Sequence, residues 1–160
     1  MAARTIQTAG EFELELAEII SVGETSVNVT TEVMEVIIYE DTQNVVLSGS
    51  LIFKDNFNLT NIMPLLGQEI LKLKIRTPSL EDFLDVIDFT EQVFFIYEIE
   101  TSVPVGDMNQ VHLLNFISME AMINQRKKIS KPLKGTYADI VKSILRGELE
   151  STKDLYIEPS

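Results

Sequence analysis

The only histidine in the chain, His112, stands in "VHLLNF", and general-base or triad chemistry would have to run through it. Such chemistry needs an imidazole within hydrogen-bond reach of a nucleophile. Leu113 and Leu114 put His112 in the middle of a strand-like run, where a histidine held by one hydrogen-bond partner is the favoured reading. There is no cysteine, so disulfides, thiolate metal sites and a cysteine nucleophile are excluded. "EDFLDVID" offers Glu81, Asp82, Asp85 and Asp88. At helical spacing three of these carboxylates line up and could hold a cation. However, the order of residues is not that of an EF-hand loop, and no glycine stands at the turn position. A solvated acidic face is favoured. "KPLKGT" contains a K-G-T triplet without the G-x-x-x-x-G-K-[ST] order that cradles phosphate. With 25 acidic residues, a paired-carboxylate glycosidase site is unconstrained by the sequence. These observations predict a protein that is not an enzyme, with no cofactor and no metal.

A different stretch stands out for charge. "AMINQRKKISKPLKGT" (121–136) carries Arg126, Lys127, Lys128, Lys131 and Lys134 and no carboxylate, in a chain of net charge -12. Residues 121–147 hold seven of the 13 Lys and Arg but only one acid, Asp139, which makes the segment +6 and the remainder -18. A surface that negative repels DNA and anionic membranes at moderate salt. No aromatics are interleaved with the basic run from Arg126 to Lys134, so there is no stacking platform for single strands. A nucleic-acid-binding module using segment 126–146 is therefore the second reading. Contact with an acidic protein surface is the first.

These residues must be positioned by one compact domain, because 160 residues at 45% hydrophobic suffice for a single core. The longest apolar run, "VFFIY" at 93–97, is far too short to cross a bilayer, and "MAARTIQTAGEFELEL" lacks the apolar region of a secretory signal. The N-x-T sequons at Asn28 and Asn58 are read as chance. Alternation in "EFELELAEIISV" (11–22) predicts a strand with Phe12, Leu14 and Leu16 on one face and the glutamates on the other. Gly23 and Glu24 form a turn. Residues 26–40 read as strand, with a helical turn allowed near "TEVMEV", and "DTQN" (41–44) is turn chemistry. "VVLSGSLIFKD" (45–55) is a strand in which Gly49 marks a bulge or a close backbone approach. Asn58 or Thr60 caps a short helix that Pro64 stops.

"EILKLKIRT" (69–77) alternates strictly, with Leu71, Leu73 and Ile75 opposite Ile70, Lys72, Lys74 and Arg76. Residues 79–92 read as a polar loop or one amphipathic turn. "VFFIYEIET" (93–101) and "VHLLNFISM" (111–119) are strands joined as a hairpin through "SVPVGDMNQ". The period then becomes helical over 119–128 and 136–149, where Tyr137, Ile140, Val141, Ile144 and Leu145 form a stripe. The expected fold is mainly β (β+α), an antiparallel barrel or sandwich with flanking helices near the C-terminus.

Two stretches carry a resemblance. "LSGSLIFKDNFNLTNIMPLLGQEILKLKIRTP" (47–78) has an S-G-x-L-x-I/F-x-D strand, a loop running to proline, then G-Q-E and an alternating strand. "FIYEIETSVPVGDMNQVHLLNFISMEAMINQRKKISKPLKGTYADIVKSIL" (95–145) has an alternating strand ending in F-x-S-x-E, an asparagine-bearing helix, a basic I-S-K segment, a glycine, and a helix reading A-D-I-V-x-x-I-L. In order and spacing these pieces resemble the baseplate hub family of contractile-tailed bacteriophages.

The resemblance implies a tail-tube-type β-barrel spanning 1–160 with a helical arm over 118–149, either a short hub or the N-terminal part of a longer one. It implies a structural subunit of the virion tail baseplate, assembled in the host cytoplasm. Such subunits form a homo-oligomeric ring, a trimer in this family, between the tail tube and the central spike. DNA passes the lumen without specific binding, and no membrane is involved. In a ring each protomer presents different faces to its two neighbours. Arg126, Lys127, Lys128, Lys131 and Lys134 are accordingly expected at a subunit interface, against an acidic neighbour.

Overall fold

The computed structural model describes residues 12–44, 46–56, 58–63, 65–77, 85–105 and 109–157. The fold is mainly antiparallel β, a curled half-barrel sheet with two short helices near the C-terminus. The strands are β1 (Glu13–Ile20), β2 (Ser26–Asn28), β3 (Val33–Tyr39), β4 (Ser48–Asp55), β5 (Ile70–Thr77), β6 (Asp85–Val105) and β7 (Asn109–Ser118). They lie in one sheet in the order β2-β1-β5-β6-β7-β4-β3. A one-turn helix, α1 (Leu59–Ile62), sits between β4 and β5, and α2 (Met119–Arg126) and α3 (Tyr137–Ser143) follow β7. A π-helical turn, Ile144–Glu148, extends α3.

Chain connectivity forces the curl. The two edge strands, β2 and β3, are consecutive in sequence, with only Val29–Glu32 between them. Five Cα steps reach at most roughly 18 Å. Seven strands side by side in a flat sheet would hold their edges about 29 Å apart. The sheet therefore bends until its edges meet at this corner. The link is bonded to both sides: the Val29 N–H donates to the Ala17 carbonyl of β1 (2.8 Å), and the Lys54 N–H of β4 donates to the Glu32 carbonyl (2.9 Å). The single strand expected over 26–40 is thus two, broken by a turn at residues 30–32 in which the Val29 carbonyl accepts the N–H groups of Glu32 (2.9 Å) and Val33 (3.1 Å).

Inward positions alternate as a two-residue period demands. Leu51 and Phe53 of β4, Leu71 and Leu73 of β5, Phe94 and Ile96 of β6, and Leu114 and Phe116 of β7 are all buried in one core. Gly49 belongs to it through what it lacks: a Cβ there would lie 2.2 Å from the Ile37 carbonyl oxygen and 2.4 Å from Cζ of Phe116. Of the two alternatives the sequence left, close approach is the one found. Ile75, expected inside with Leu71 and Leu73, is only half-buried.

Two expectations are corrected. In β1 a register shift between Leu14 and Leu16 moves the second half of the strand by one residue. Leu14, Ala17 and Ile19 then face the core, while Leu16 pairs with Lys74 and Phe12 is exposed. Simple alternation cannot see a bulge, because the extra residue reverses the faces beyond it. The second correction concerns residues 85–92, read as loop or amphipathic turn, which form the first part of the 21-residue strand β6. Val86, Ile87 and Asp88 pair with Arg76, Ile75 and Lys74 of β5, so the hairpin runs longer than its acidic composition suggested. The rest of the 79–92 stretch lies outside the described residues, and so does Pro64.

Candidate functional site

His112 is buried in the barrel, its ring centroid 5.2 Å from that of Phe53. Its Nε2 lies 3.5 Å from Oδ2 of Asp55, which is also buried. Asp55 Oδ2 accepts the N–H of Leu59 at 2.7 Å and so caps the first turn of α1. Asn58, the expected cap, makes no side-chain cap bond and stands in the left-handed region at φ 57°. The pair anchors α1 to the sheet and lies beneath the surface, so the expectation of a partnered strand histidine matches its surroundings.

Of the acidic cluster, Asp88 lies on the outer face of β6, and Glu81 and Asp82 fall outside the described residues; Asp85 is described in backbone only. Asp88 belongs to a ladder of opposite charges across β1, β5 and β6. Lys74 Nζ is 3.2 Å from Glu15 and 3.9 Å from Asp88, Lys72 is 3.8 Å from Glu18, and Arg76 pairs with Glu13 and Glu15. Hydrogen bonds from Thr90 hold the Asp88 carboxyl below its ordinary value, with Lys74 helping. Among the described residues no group of three or more His, Cys, Asp and Glu could hold a metal ion.

The basic segment emerges from α2 and runs to α3. Every residue from Asn124 to Tyr137 is exposed. The segment is anchored at both ends. At its start, Glu120 is buried and accepts a hydrogen bond from the Ser151 hydroxyl at 2.6 Å, with Lys153 Nζ at 3.3 Å. Burial alone would raise the Glu120 carboxyl, but the hydrogen bond from Ser151, a backbone hydrogen bond and Lys153 outweigh it and hold the group below its ordinary value. At its end, Gly135 at φ 119° turns the chain into a capping box: the Asp139 N–H donates to Thr136 Oγ1, and the Thr136 N–H donates to Asp139 Oδ2.

The five predicted interface bases divide into two groups. Lys127 pairs with Glu150 at 3.3 Å and Lys131 pairs with Glu148, both within the chain. The hydrogen bond from Lys131 holds Glu148 below its ordinary value. Arg126, Lys128 and Lys134 have no ion-pair partner among the described residues and point their charge to solvent. The helical stripe of α3 is covered only in part: Ile140, Ile144 and Leu145 are half-buried, whereas Tyr137 and Val141 are exposed.

Beside the arm lies a groove of about 710 Å³ that the sequence reading missed. Val22, Tyr97, Met119, Met122 and Ile123 line it, and Arg126 stands at its rim. Val22 is 70% exposed, Tyr97 48% and Met119 42%. The only local signal was the Met119, Met122, Ile123 spacing on α2. The groove's side wall is held rigid by Glu69, whose buried carboxylate accepts the N–H groups of Leu66 (2.5 Å), Gly67 (2.9 Å) and Gln68 (3.0 Å). Gly67 is required there, since it stands at φ 76° with the Tyr97 carbonyl closing in. The G-Q-E triplet is therefore a loop latch. No protein-family model matches the chain, and no curated protein matches it either.

Proposed function

We propose that the chain is a structural subunit of a phage tail baseplate hub, forming a ring that joins the tail tube to the central spike and lines the DNA channel. The observation that carries the reading is an uncommitted cationic edge on an acidic half-barrel. Among the described residues Arg126, Lys128 and Lys134 have no ion-pair partner, on a chain of net charge -12, while neighbouring Lys127 and Lys131 are already neutralised within the chain. Isolated surface bases cost little when solvated, but three on one arm against an acidic remainder are suited to a neighbour carrying the opposite charge. Complementary charge of this kind sets register and speeds encounter. The order of the motif pieces supports the same reading, and the fold agrees with the barrel that the resemblance implies.

The test is charge reversal of the three free bases, R126E/K128E/K134E, which leaves the internal pairs of Lys127 and Lys131 intact. Light scattering should show assembly weakened while thermal unfolding of the monomer stays in place. Raising salt should weaken wild-type assembly in the same direction, because exposed pairs are screened over about 10 Å at 0.1 M. A duplex-DNA shift assay runs beside it. Unchanged assembly together with DNA binding that the triple variant loses would replace this reading with a nucleic-acid module.

A further inference from the structure

The exposed apolar groove and the exposed aromatic end of the described chain are two unmatched surfaces of one molecule. The groove gathers the exposed side chains of Val22, Tyr97 and Met119 between Gln68 and Gln125, and a concave site of mixed apolar and polar lining suits a short amphipathic segment. Among the described residues the groove's only charged lining residue is Arg126, with Lys128 two residues on along the arm. Its occupant should therefore be an apolar segment that carries negative charge. The segment Asp154–Ile157 has that chemistry: Asp154, Leu155, Tyr156 and Ile157, with Tyr156 84% exposed. Within its own chain this segment borders a separate cleft formed with Lys142 and Arg146, and no described residue lines both the cleft and the groove. The other exposed aromatic of the C-terminal region, Tyr137, lies between Lys134 and Lys142 and would bring like charge toward Arg126.

We propose that the groove of one copy receives the Asp154–Ile157 segment of a second copy, Tyr156 packing on Tyr97 and the methionines while Asp154 meets Arg126. Groove and segment are different surfaces, so the contact is head-to-tail, and head-to-tail contacts close into rings when the rotation permits. The inference deepens the ring reading and rests on it for copies meeting; it assigns the surfaces that meet. Tyrosine suits the role because its ring buries a large area with few rotatable bonds and keeps its hydroxyl wet.

The absence of native cysteine makes the contact directly testable. Two single-cysteine variants, Gln125→Cys at the groove rim and Ile157→Cys beside Tyr156, are mixed under mild oxidation. Thr31→Cys, exposed and remote in sequence from both, replaces Gln125→Cys as the control. Circular dichroism confirms that each variant folds. The proposal expects a disulfide-linked pair from Gln125→Cys with Ile157→Cys and background from the control. Adding Tyr156→Ala to the Ile157→Cys chain should cut the linked yield about tenfold, as expected when an aromatic anchor leaves a small interface. Arg126→Glu on the other chain should lower it in the same direction. Linkage no greater than the control overturns the proposal. Sedimentation of the wild type separates the two ideas: assemblies without the specific cross-link overturn this contact and leave the ring reading standing, whereas monomers without it overturn both.

Discussion

Replacing Gly49 with alanine should be among the most damaging single-methyl additions this fold can receive. The new Cβ would lie 2.2 Å from the Ile37 carbonyl oxygen and 2.4 Å from Cζ of Phe116. Ordinary carbon contacts begin near 3.5 Å, so about 1 Å of movement is needed in two directions at once. The ring can tilt. The carbonyl cannot move freely, because it belongs to β3, which is hydrogen-bonded to β4 around Ile37↔Ser50 and Ile38↔Gly49 and tied to the barrel corner at its start. Overpacking of this kind costs about 1–3 kcal/mol per site. Alanine regains about 0.5–1 kcal/mol by restricting the unfolded chain. The net expectation is a loss of about 2–2.5 kcal/mol, from the top of the overpacking range because one obstacle is backbone. Urea unfolding followed by circular dichroism reads this as a midpoint lowered by about 1 M, for a slope near 2 kcal/mol/M. The melting temperature should fall by about 5–10 °C. Adding Phe116→Leu should recover only part of the loss, since the carbonyl remains. A Gly49→Ala protein within about 0.5 kcal/mol of wild type would refute the close-approach argument.

Other perturbations probe separate parts of the account. Leu73→Asp should unfold the domain, because it places an unpaired charge in a core position with no exposure, whereas Lys74→Ala should cost about 1 kcal/mol or less from its partly exposed pairs; equal melting would mean the β5 register is misread. Glu69→Gln should cost about 2–3 kcal/mol and raise hydrogen exchange at Leu66, Gly67 and Gln68, since one amide oxygen cannot replace a carboxylate accepting three N–H groups. The Glu120 carboxyl sits below its ordinary value of 4.5, so its stabilising contribution is fully present above that value and is lost as pH falls through the depressed one. Acid titration should therefore release the segment around Ser151, read as protease sensitivity after Leu149, and Glu120→Gln should flatten that pH dependence.

Much of the barrel was legible because strict alternation survives wherever one face is buried. "LKLKI" in β5 and "HLLNF" in β7 each place their inward residues as the structure does, at Leu71, Leu73, Leu114 and Phe116. Legibility failed where the chain departs from two-residue periodicity. The bulge in β1 turned Leu16 off the face of Leu14, and the acidic start of β6 looked like loop because its pairing partner, not its composition, makes it strand. The arm's bases were legible as a charge run. Their division was not, because Glu148 and Glu150 reach Lys131 and Lys127 only after α3 folds back. The groove was hidden for a similar reason: Val22, Tyr97 and Met122 come from three distant segments, and no local pattern joins them.

The account's central claim is assembly into a closed ring, and sedimentation velocity of the purified chain across concentration tests it most directly. The account predicts a discrete, salt-sensitive oligomer, three copies by the family resemblance, whose formation is impaired in R126E/K128E/K134E. A chain that stays monomeric at tens of micromolar in low salt, where exposed charge pairs are least screened, would contradict it.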